Sequence, residues 1–251
     1  MSQAKPFQIR LRFHGDLDVF LGRDNAGIGE VLRQLAEPTS VKDVIESCGV
    51  PHPEVDRILA ENQPVNFAHV LRSDIALDVY PVDLNQPPGR PLQQRHVTTF
   101  VADGHLGKLV RNLRLLGVDV AYSPTATDRE LLHVMETQRR ALLTRDRRLL
   151  MHRVVEDAYC PRSSEPLQQT IEVIRRFDLV RSFQPFTRCM NCNGVLVTVD
   201  KASVIEQLEP LTRIYYDEFR QCPLCARIFW RGSHFGRLES LIKAVRERLS
   251  T

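Results

Sequence analysis

Apolar and polar residues alternate with a period of two through much of the first third of the chain, which is the pattern of half-buried β-strands. The predicted strands are Phe7–Phe13, Val19–Leu21, Pro64–Phe67 and Ile75–Val82. Between them, Ser40 is the predicted N-cap of a helix that ends at Gly49. These elements predict a β-grasp, ubiquitin-like domain over residues 1–84, followed by a proline-rich linker over residues 85–95.

The middle of the chain changes to strands that alternate with helices. The predicted strands are Val97–Ala102, Val118–Tyr122, Ala141–Thr144 and Ala158–Cys160, and the predicted helices are Gly107–Leu116, Thr127–Met135, Asp146–Val155 and Pro166–Phe177. Strands separated by helices of this length imply right-handed crossovers and a parallel sheet covered by helices on both faces. We therefore assign residues 96–182 to an α/β domain.

Two C-x-x-C motifs near the C-terminus carry the clearest chemical signal. Cys189 and Cys192 form the first, Cys222 and Cys225 form the second, and 29 residues separate the pairs. Four thiolates in paired motifs suit one tetrahedral Zn²⁺, and four cysteines leave no open coordination position, so the site is structural. Disulfides are the alternative in a secreted protein, and a redox role is the alternative for a single motif. We expect a zinc ribbon and a C-terminal helix over residues 183–251, with helix Lys201–Leu208 inserted between the motifs.

Three aspartates occupy equivalent places in the α/β domain. Asp103 directly follows its first strand, Asp128 lies in the first turn of the helix after its second, and Asp146 directly follows its third. The carboxyl ends of parallel strands converge on one crevice, and oxygen ligands suit Mg²⁺ or Mn²⁺. The alternative is that these acids are helix caps, which favour the helix dipole without any metal.

Charge is distributed unevenly along the 251 residues. The formal net charge of +3 is the sum of −5 over residues 1–89, +4 over residues 90–180 and +4 over residues 181–251. Clustered arginines attract phosphate, so the last two-thirds of the chain suit a polyanion partner, although a solvated basic surface explains the charge equally well. No apolar run approaches a membrane span and the N-terminus has no targeting signal, so we expect a cytoplasmic protein.

Four stretches together resemble one known family. They are Phe-Val-Ala-Asp-Gly-His-Leu-Gly-Lys-Leu at 100–109, Leu-Arg-Leu-Leu-Gly at 113–117, Leu-Leu-Thr-Arg-Asp at 142–146 and Phe-Trp-Arg-Gly-Ser-His at 229–234. Over about residues 97–236 the chain is similar to the PIN-like ribonuclease domain of the mut-seven C-terminal (Mut7-C) family, and its first segment is similar to the ubiquitin-like domain often joined to it. The resemblance implies a PIN-like parallel sheet and a metal-dependent ribonuclease, with Asp103, Asp128 and Asp146 at the acidic motif positions.

Six further residues are candidates for RNA contacts. They are Lys108, Asn112, Arg114 and Arg147 beside the aspartates, and Trp230 and His234 after the second cysteine motif. Trp230 could stack on a base or pack the small core of the ribbon, and His234 could contact phosphate or be solvated. We expect a ribonuclease acting on RNA, with tRNA or ribosome-associated RNA as examples. The alternatives are a non-catalytic zinc-ribbon module that binds RNA or the ribosome, and a protein-interaction scaffold.

Overall fold

A computed structural model describes residues 5–22, 29–82, 91–94 and 96–250. Its internal contacts divide the chain into two compact units, the first comprising residues 1–95 and 135–160 and the second comprising residues 96–134 and 161–251. Most of the predicted linker, residues 85–90 and 95, lies outside the described residues. Within 91–94, the backbone N–H of Leu92 donates to the carbonyl oxygen of Asp56, and the buried Gln93 side chain donates to the carbonyls of His52 and Val55. This stretch is therefore fastened to the preceding domain.

Residues 5–22 and 29–82 form a β-grasp. Its strands are β1 Phe7–Phe13, β2 Glu30–Leu35, β3 Thr39–Ser40, β4 Val55–Ala60, β5 Gln63–Val65, β6 Val70–Leu71 and β7 Ile75–Pro81, and its helix is α1 Val41–Ser47. The main sheet has the order β2-β1-β7-β4-β5, with β1 and β7 parallel at its centre, and β3 pairs with β6. Ser40 caps α1 by accepting from the N–H of Asp43, as predicted. Alternate residues of β1, such as Ile9 and Leu11, are fully buried, which confirms the period-two pattern.

The predicted strand Val19–Leu21 is wrong. Residues Gly15–Phe20 form a 3₁₀ helix, and β1 pairs with the later strand β2 instead. Leu17 and Phe20 are both buried, and a spacing of three residues puts them on the same face of a 3₁₀ helix. The short apolar run was therefore a helical turn and not a strand.

Strands and helices alternate through residues 99–177 as predicted. They are β8 Thr99–Ala102, α2 Gly107–Leu115, β9 Asp119–Tyr122, α3 Asp128–Gln138, β10 Ala141–Leu143, α4 Arg147–Leu150, β11 Ala158–Tyr159 and α5 Pro166–Phe177. In the second unit β8 and β9 pair in parallel, and in the first unit β10 and β11 do the same. Leu109 and Leu113 of α2 are fully buried, and Phe100 of β8 meets Phe177 of α5 edge to face at 4.9 Å. The α/β class with a parallel sheet is confirmed.

The predicted helix Asp146–Val155 is too long. Helix α4 ends at Leu150, and a turn closed by the N–H of Val155 and the carbonyl of His152 follows. The carbonyl of Val155 then accepts from the ring of His52 at 2.6 Å, a tertiary contact that favours the turn at that residue. Val154 and Val155 are β-branched, and this also disfavours a longer helix.

The C-terminal region is a small antiparallel sheet with helices. Its elements are β12 Val197–Val199, α6 Lys201–Val204, α7 Pro210–Tyr215, β13 Phe219–Gln221, β14 Ile228–Phe229 and α8 Phe235–Leu249. The strand order is β12-β13-β14, and Val204, Leu208 and Phe219 form a local core. A helix between the two cysteine motifs is confirmed, although α6 ends at Val204 and a 3₁₀ helix, Ile205–Gln207, follows it within the predicted Lys201–Leu208. Within the described ranges, no helix has the length and apolar character that crossing a membrane requires.

Candidate active site and metal centre

The two C-x-x-C motifs fold into matching knuckles. In the first, the N–H of Cys189 donates to the carbonyl of Gly194 and the N–H of Asn193 donates to the carbonyl of Cys189. In the second, Cys222, Ala226 and Arg227 repeat this pattern. Asn193 and Ala226 each adopt a positive φ, at 73° and 58°, which turns the chain back immediately after the second cysteine. Both knuckles thus present their two sulfurs on the same side.

The four cysteine sulfurs converge on one point. All of them lie within 4.8 Å of one another, the Sγ atoms of Cys189 and Cys225 are 3.7 Å apart, and those of Cys192 and Cys222 are 3.3 Å apart. Cys48 and Cys160 are buried elsewhere, as expected for small core residues. Among the described residues, the four-cysteine group is the one set of three or more potential ligands gathered this closely. It can hold a tetrahedral metal ion.

Protons and a metal ion would compete for the four cysteine sulfurs. Burial raises the pKa of the Cys189 thiol and raises that of Cys192 to about 12. A hydrogen bond from the backbone N–H of Arg227 lowers the pKa of Cys225 to about 7. A cation bound among the sulfurs stabilises all four thiolates together, so the donor set fits a metal ion better than it fits four protons.

Arg114 links this cluster to the α/β region of the same unit. It lies on α2, is 3% exposed, and its guanidinium donates to the carbonyls of Val120, Met190 and Asn191, the last at 2.7 Å. Burial lowers the pKa of Arg114, and the nearby sulfurs of Cys192 and Cys189 oppose this shift. Four thiolates around a divalent ion carry a net negative charge, which a buried guanidinium offsets. Arg114 therefore has a structural role here.

A second group of polar contacts joins β9 to the first knuckle. The carboxylate of Asp119 accepts from the side-chain amide of Asn193 at 2.8 Å and pairs with Arg188 at 3.1 Å, while the N–H of Val120 donates to the Asn193 side-chain oxygen. Sequence reasoning missed these residues. The available signal was Asn193 itself, because asparagine tolerates the left-handed conformation that a knuckle requires.

Asp103 directly follows β8, at the carboxyl end of the β8–β9 pair. Its backbone is extended, and its carboxylate does not cap the 3₁₀ helix Gly104–Leu106. A Cβ added to Gly104 would lie 2.5 Å from the carbonyl oxygen of Pro124, and one added to Gly107 would lie 2.7 Å from the hydroxyl of Tyr122. These two glycines let the segment after β8 press against the segment after β9. The Tyr122 hydroxyl also donates to the carbonyl of Gly104 at 2.8 Å.

Asp128 lies at the start of α3, four residues beyond Pro124, and is exposed. The helix opens with a capping box: the N–H and hydroxyl of Thr127 both donate to Glu130 at 2.8 Å, and the N–H of Glu130 donates back to Thr127. These bonds lower the pKa of Glu130. Since Thr127 and Glu130 provide the cap, the carboxylate of Asp128 is not needed for it.

Asp146 belongs to the other unit and does act as a cap. Its Oδ1 accepts from the N–H of Arg148 at 2.7 Å and from that of Leu149 at 3.3 Å. Its own N–H donates to the hydroxyl of the buried Thr144. The alternative that the aspartates are helix caps therefore applies to Asp146, which caps α4 with one of its two carboxylate oxygens.

The candidate RNA contacts near the aspartates differ in whether they already bond to other residues of the protein. Lys108 is exposed on the first turn of α2. Asn112 donates to the hydroxyl of Thr170 on α5 at 3.1 Å, and the guanidinium of Arg147 donates to the carbonyls of Val19 and Phe20. Asn112, Arg114 and Arg147 thus have intramolecular roles, whereas Lys108 faces solvent.

The aromatic candidate after the second knuckle borders a cleft. Trp230 is 38% exposed, and His234, immediately before α8, is also exposed. Trp230 lines a cavity of about 530 Å³ together with Phe186, Phe229, Arg231 and Phe235. Phe186 and Phe235 stack at 4.6 Å, and the guanidinium of Arg231 lies over the Phe235 ring. Trp230 therefore has a face at the surface and does not lie wholly within the ribbon core.

These features define a three-part protein: a ubiquitin-like domain, parallel strands alternating with helices, and a four-cysteine cluster consistent with a zinc ribbon. A family model described as the Mut7-C RNAse domain matches residues 98–242, and one described as Mut7-C ubiquitin matches residues 7–86. The first match covers more than half of the chain, so the chain belongs to the Mut7-C RNase family, which supports a nuclease-like, RNA-related function. A comparison with curated proteins gives no match.

Proposed function

We propose that this protein is a metal-dependent ribonuclease that hydrolyses RNA phosphodiester bonds, with Asp103, Asp128 and Asp146 as its acidic residues. The observation that carries the proposal is the close approach of Gly104 and Pro124, because it joins the segment that begins at Asp103 to the one that leads to Asp128. The ribonuclease family model spans all three aspartates.

The three carboxylates would hold Mg²⁺ or Mn²⁺, which prefer oxygen ligands. When bound, such an ion supplies an activated water and stabilises charge on the phosphodiester oxygens. Asp103 comes from the end of an extended strand with a tightly packed glycine beside it, so its backbone is firmly held. Asp128 sits in a helical turn fixed by Thr127 and Glu130. Both residues therefore have the rigid support that a catalytic group needs.

Lys108, Trp230 and His234 are the proposed RNA contacts. Lys108 offers an exposed ammonium to phosphate from the helix that follows Asp103. Trp230 offers an aromatic face to an unpaired base beside the 530 Å³ cleft. A separate cavity of about 650 Å³ borders the β9–α3 turn and is lined in part by Ser123, Arg129 and His133. Most of this lining is apolar and it includes Glu130, so Arg129 and His133 are the groups in it that would contact the phosphate of a nucleotide.

We also propose that the four-cysteine cluster holds Zn²⁺ in a structural role. Four converging sulfurs and a buried Arg114 beside them match a closed, charge-compensated site. The zinc would stabilise the ribbon, and the hydrolytic chemistry would take place at the aspartates.

The test uses purified wild-type protein, Asp146→Asn and the control Glu209→Gln, an exposed acid whose side chain makes no helix-cap hydrogen bond. Single-stranded RNA is incubated with each protein in Mn²⁺, and RNA binding is measured separately in EDTA. We expect Asp146→Asn to lose cleavage by at least ~100-fold while binding changes little, because removing a metal ligand removes transition-state stabilisation. An unchanged cleavage rate in Asp146→Asn would rule out the assigned role.

The second candidate is a non-catalytic RNA-binding module. It is favoured by the cap that Asp146 provides to α4, since this gives the carboxylate a purpose without any metal. RNA binding that persists in EDTA, with no Mn²⁺-dependent cleavage of any RNA by the wild type, would support it over the ribonuclease.

A further inference from the structure

We propose that the ubiquitin-like domain positions the segment Thr144–Cys160, which carries Asp146, through Arg147, His52 and Glu54. All of these residues belong to the first unit. The consequence for catalysis rests on the proposed function, because it takes Asp146 to be a catalytic acid. The positioning itself is a statement about structure, and it is tested separately.

The first anchor is adjacent to Asp146 in the chain. The two terminal nitrogens of Arg147 donate to the carbonyls of Val19 and Phe20 at 2.8 and 2.9 Å, and its guanidinium lies 5.0 Å from the centre of the Phe20 ring. Phe20 is buried at the end of the 3₁₀ helix Gly15–Phe20. The planar guanidinium donates to two carbonyls and lies over an aromatic ring. These contacts fix both its orientation and its distance from the 3₁₀ helix.

Holding Arg147 also holds the carboxylate of Asp146. Arg147 is the first residue of α4, and Asp146 caps that helix through the amides of Arg148 and Leu149. If α4 rotated, Arg147 would lose the two carbonyls and Asp146 would change direction with it. Arg147 is therefore a positioning residue that acts through Asp146, and the guanidinium that sequence reasoning offered to phosphate is committed to this contact.

The second anchor is a buried carboxylate. Glu54 is 3% exposed, and its Oε1 accepts from the N–H of Cys160 at 2.6 Å, at the end of β11. A buried carboxylate is costly unless its oxygens accept hydrogen bonds, so Glu54 and the Cys160 amide depend on each other. This contact joins the 3₁₀ helix His52–Glu54 of the ubiquitin-like domain to the far end of the segment.

The third anchor is His52, two residues earlier. Its Nε2 lies 2.6 Å from the carbonyl of Val155, and its Nδ1 lies 2.7 Å from the carboxylate of Glu46 on α1. A carbonyl can only accept, so Nε2 carries the proton and donates to Val155. The bond to Glu46 orients the ring from the opposite side. His52 thus fixes the turn that ends the segment's helical part.

The three anchors lie at different points along the segment, at positions 147, 155 and 160. A single contact would leave α4 free to pivot about it, whereas three contacts to one domain define its placement. The charge of the domain agrees with a positioning role, because residues 1–89 carry a net −5 and would repel RNA phosphates. The ubiquitin-like domain accordingly contributes to the nuclease through the placement of Asp146 and not through contact with the substrate.

The test combines hydrogen exchange with metal dependence in full-length protein. The variants are Arg147→Ala, Arg147→Lys, Glu54→Ala and Glu54→Gln, and the control is Arg153→Ala, an exposed arginine of the same segment. We expect Arg147→Ala and Glu54→Ala to speed amide exchange within 144–160 by roughly tenfold or more, because each removes charge-assisted hydrogen bonds. Glu54→Gln keeps an acceptor oxygen and should recover part of the protection, while Arg153→Ala should match the wild type.

The activity arm measures the Mn²⁺ concentration that gives half-maximal cleavage of RNA. A displaced Asp146 should raise this concentration several-fold in Arg147→Ala, and Arg147→Lys should show a smaller rise. Unchanged exchange in both alanine variants would overturn the positioning role whatever their activity. Faster exchange in the variants together with an inactive wild type would support the positioning and overturn the proposed ribonuclease instead. Arg147→Lys and Glu54→Gln give readable results if an alanine variant fails to fold.

Discussion

The guanidinium of Arg114 donates to the carbonyl oxygen of Asn191 at 2.7 Å, joining helix α2 to the first cysteine knuckle. The same side chain bonds to Val120 of β9. One buried residue thus fixes the position of the four-cysteine cluster relative to the strand and helix of its own unit.

Replacing Arg114 should destabilise this arrangement. We expect Arg114→Ala to lower the free energy of unfolding by about 3 kcal/mol, since three carbonyls lose a buried charged donor. Arg114→Lys should recover only part of this, because an ammonium lacks the planar fork. Urea denaturation measures the change, with the exposed Arg111→Ala on the same helix as the control. A loss in Arg114→Ala no larger than that in Arg111→Ala would contradict the structural role.

The four-cysteine cluster gives a second prediction. Purified protein should contain about one zinc per chain, and Cys222→Ser should lose it because three thiolates and a hydroxyl bind Zn²⁺ far less tightly. Zinc content by mass spectrometry and helix content by circular dichroism check this. Cys48→Ser is the control, since Cys48 is buried in the ubiquitin-like domain away from the cluster. Equal zinc content in the two variants would count against the cluster.

An alanine substitution at Gly104 tests its contact with Pro124, because it adds one methyl group at that position. Gly104→Ala should cost about 1–3 kcal/mol of stability and reduce cleavage, because its Cβ would meet a backbone oxygen that cannot move aside alone. Gly236→Ala provides a matched control. Nothing lies within 4 Å of the added Cβ at Gly236, and alanine is favoured there in helix α8. Thermal unfolding of the two variants should therefore shift in opposite directions.

Acidification should loosen the start of α3. The hydrogen bonds from Thr127 lower the pKa of Glu130 in the folded protein, so their contribution to stability is present above its unfolded pKa and is lost as the pH falls through the folded one. An NMR titration of the Glu130 carboxyl should show this lowered pKa in the wild type. Thr127→Ala removes the hydroxyl donor and keeps the backbone N–H, so it should return the pKa of Glu130 part of the way toward its ordinary value. No difference between the two proteins would show that the capping box is absent.

Local sequence patterns predicted most of the elements because each signal lies within the element itself. Alternation predicted β1, the strand–helix repeats predicted the parallel pairs, and the C-x-x-C spacing predicted the cysteine cluster. The errors arose where tertiary contacts decide the local structure. Gly15–Phe20 forms a 3₁₀ helix where the strand Val19–Leu21 was predicted. The helix after Asp146 ends at Leu150, and His52 contacts the carbonyl of Val155 in the turn that follows.

The side-chain roles were harder to predict than the elements. Arg114 and Arg147 were predicted to contact RNA because basic residues beside the three aspartates suit a polyanion. Their partners are backbone carbonyls distant in the sequence, at Asn191 and Val19. Every residue has a backbone carbonyl, so the residue type does not show which one accepts a hydrogen bond. Glu54 and His52 were missed because their partners, the N–H of Cys160 and the carbonyl of Val155, are also backbone groups distant in the sequence. By contrast, Lys108 and Trp230 stay exposed, and their RNA contacts remain predictions.

The most direct measurement is cleavage of total cellular RNA by wild-type protein and Asp103→Asn in Mn²⁺, with sequencing of the new RNA ends. The ribonuclease account predicts defined new ends with the wild type, their loss in EDTA, and their absence with Asp103→Asn although the variant is folded and retains its zinc. The same ends at the same rate with Asp103→Asn, or none with the wild type, would contradict it.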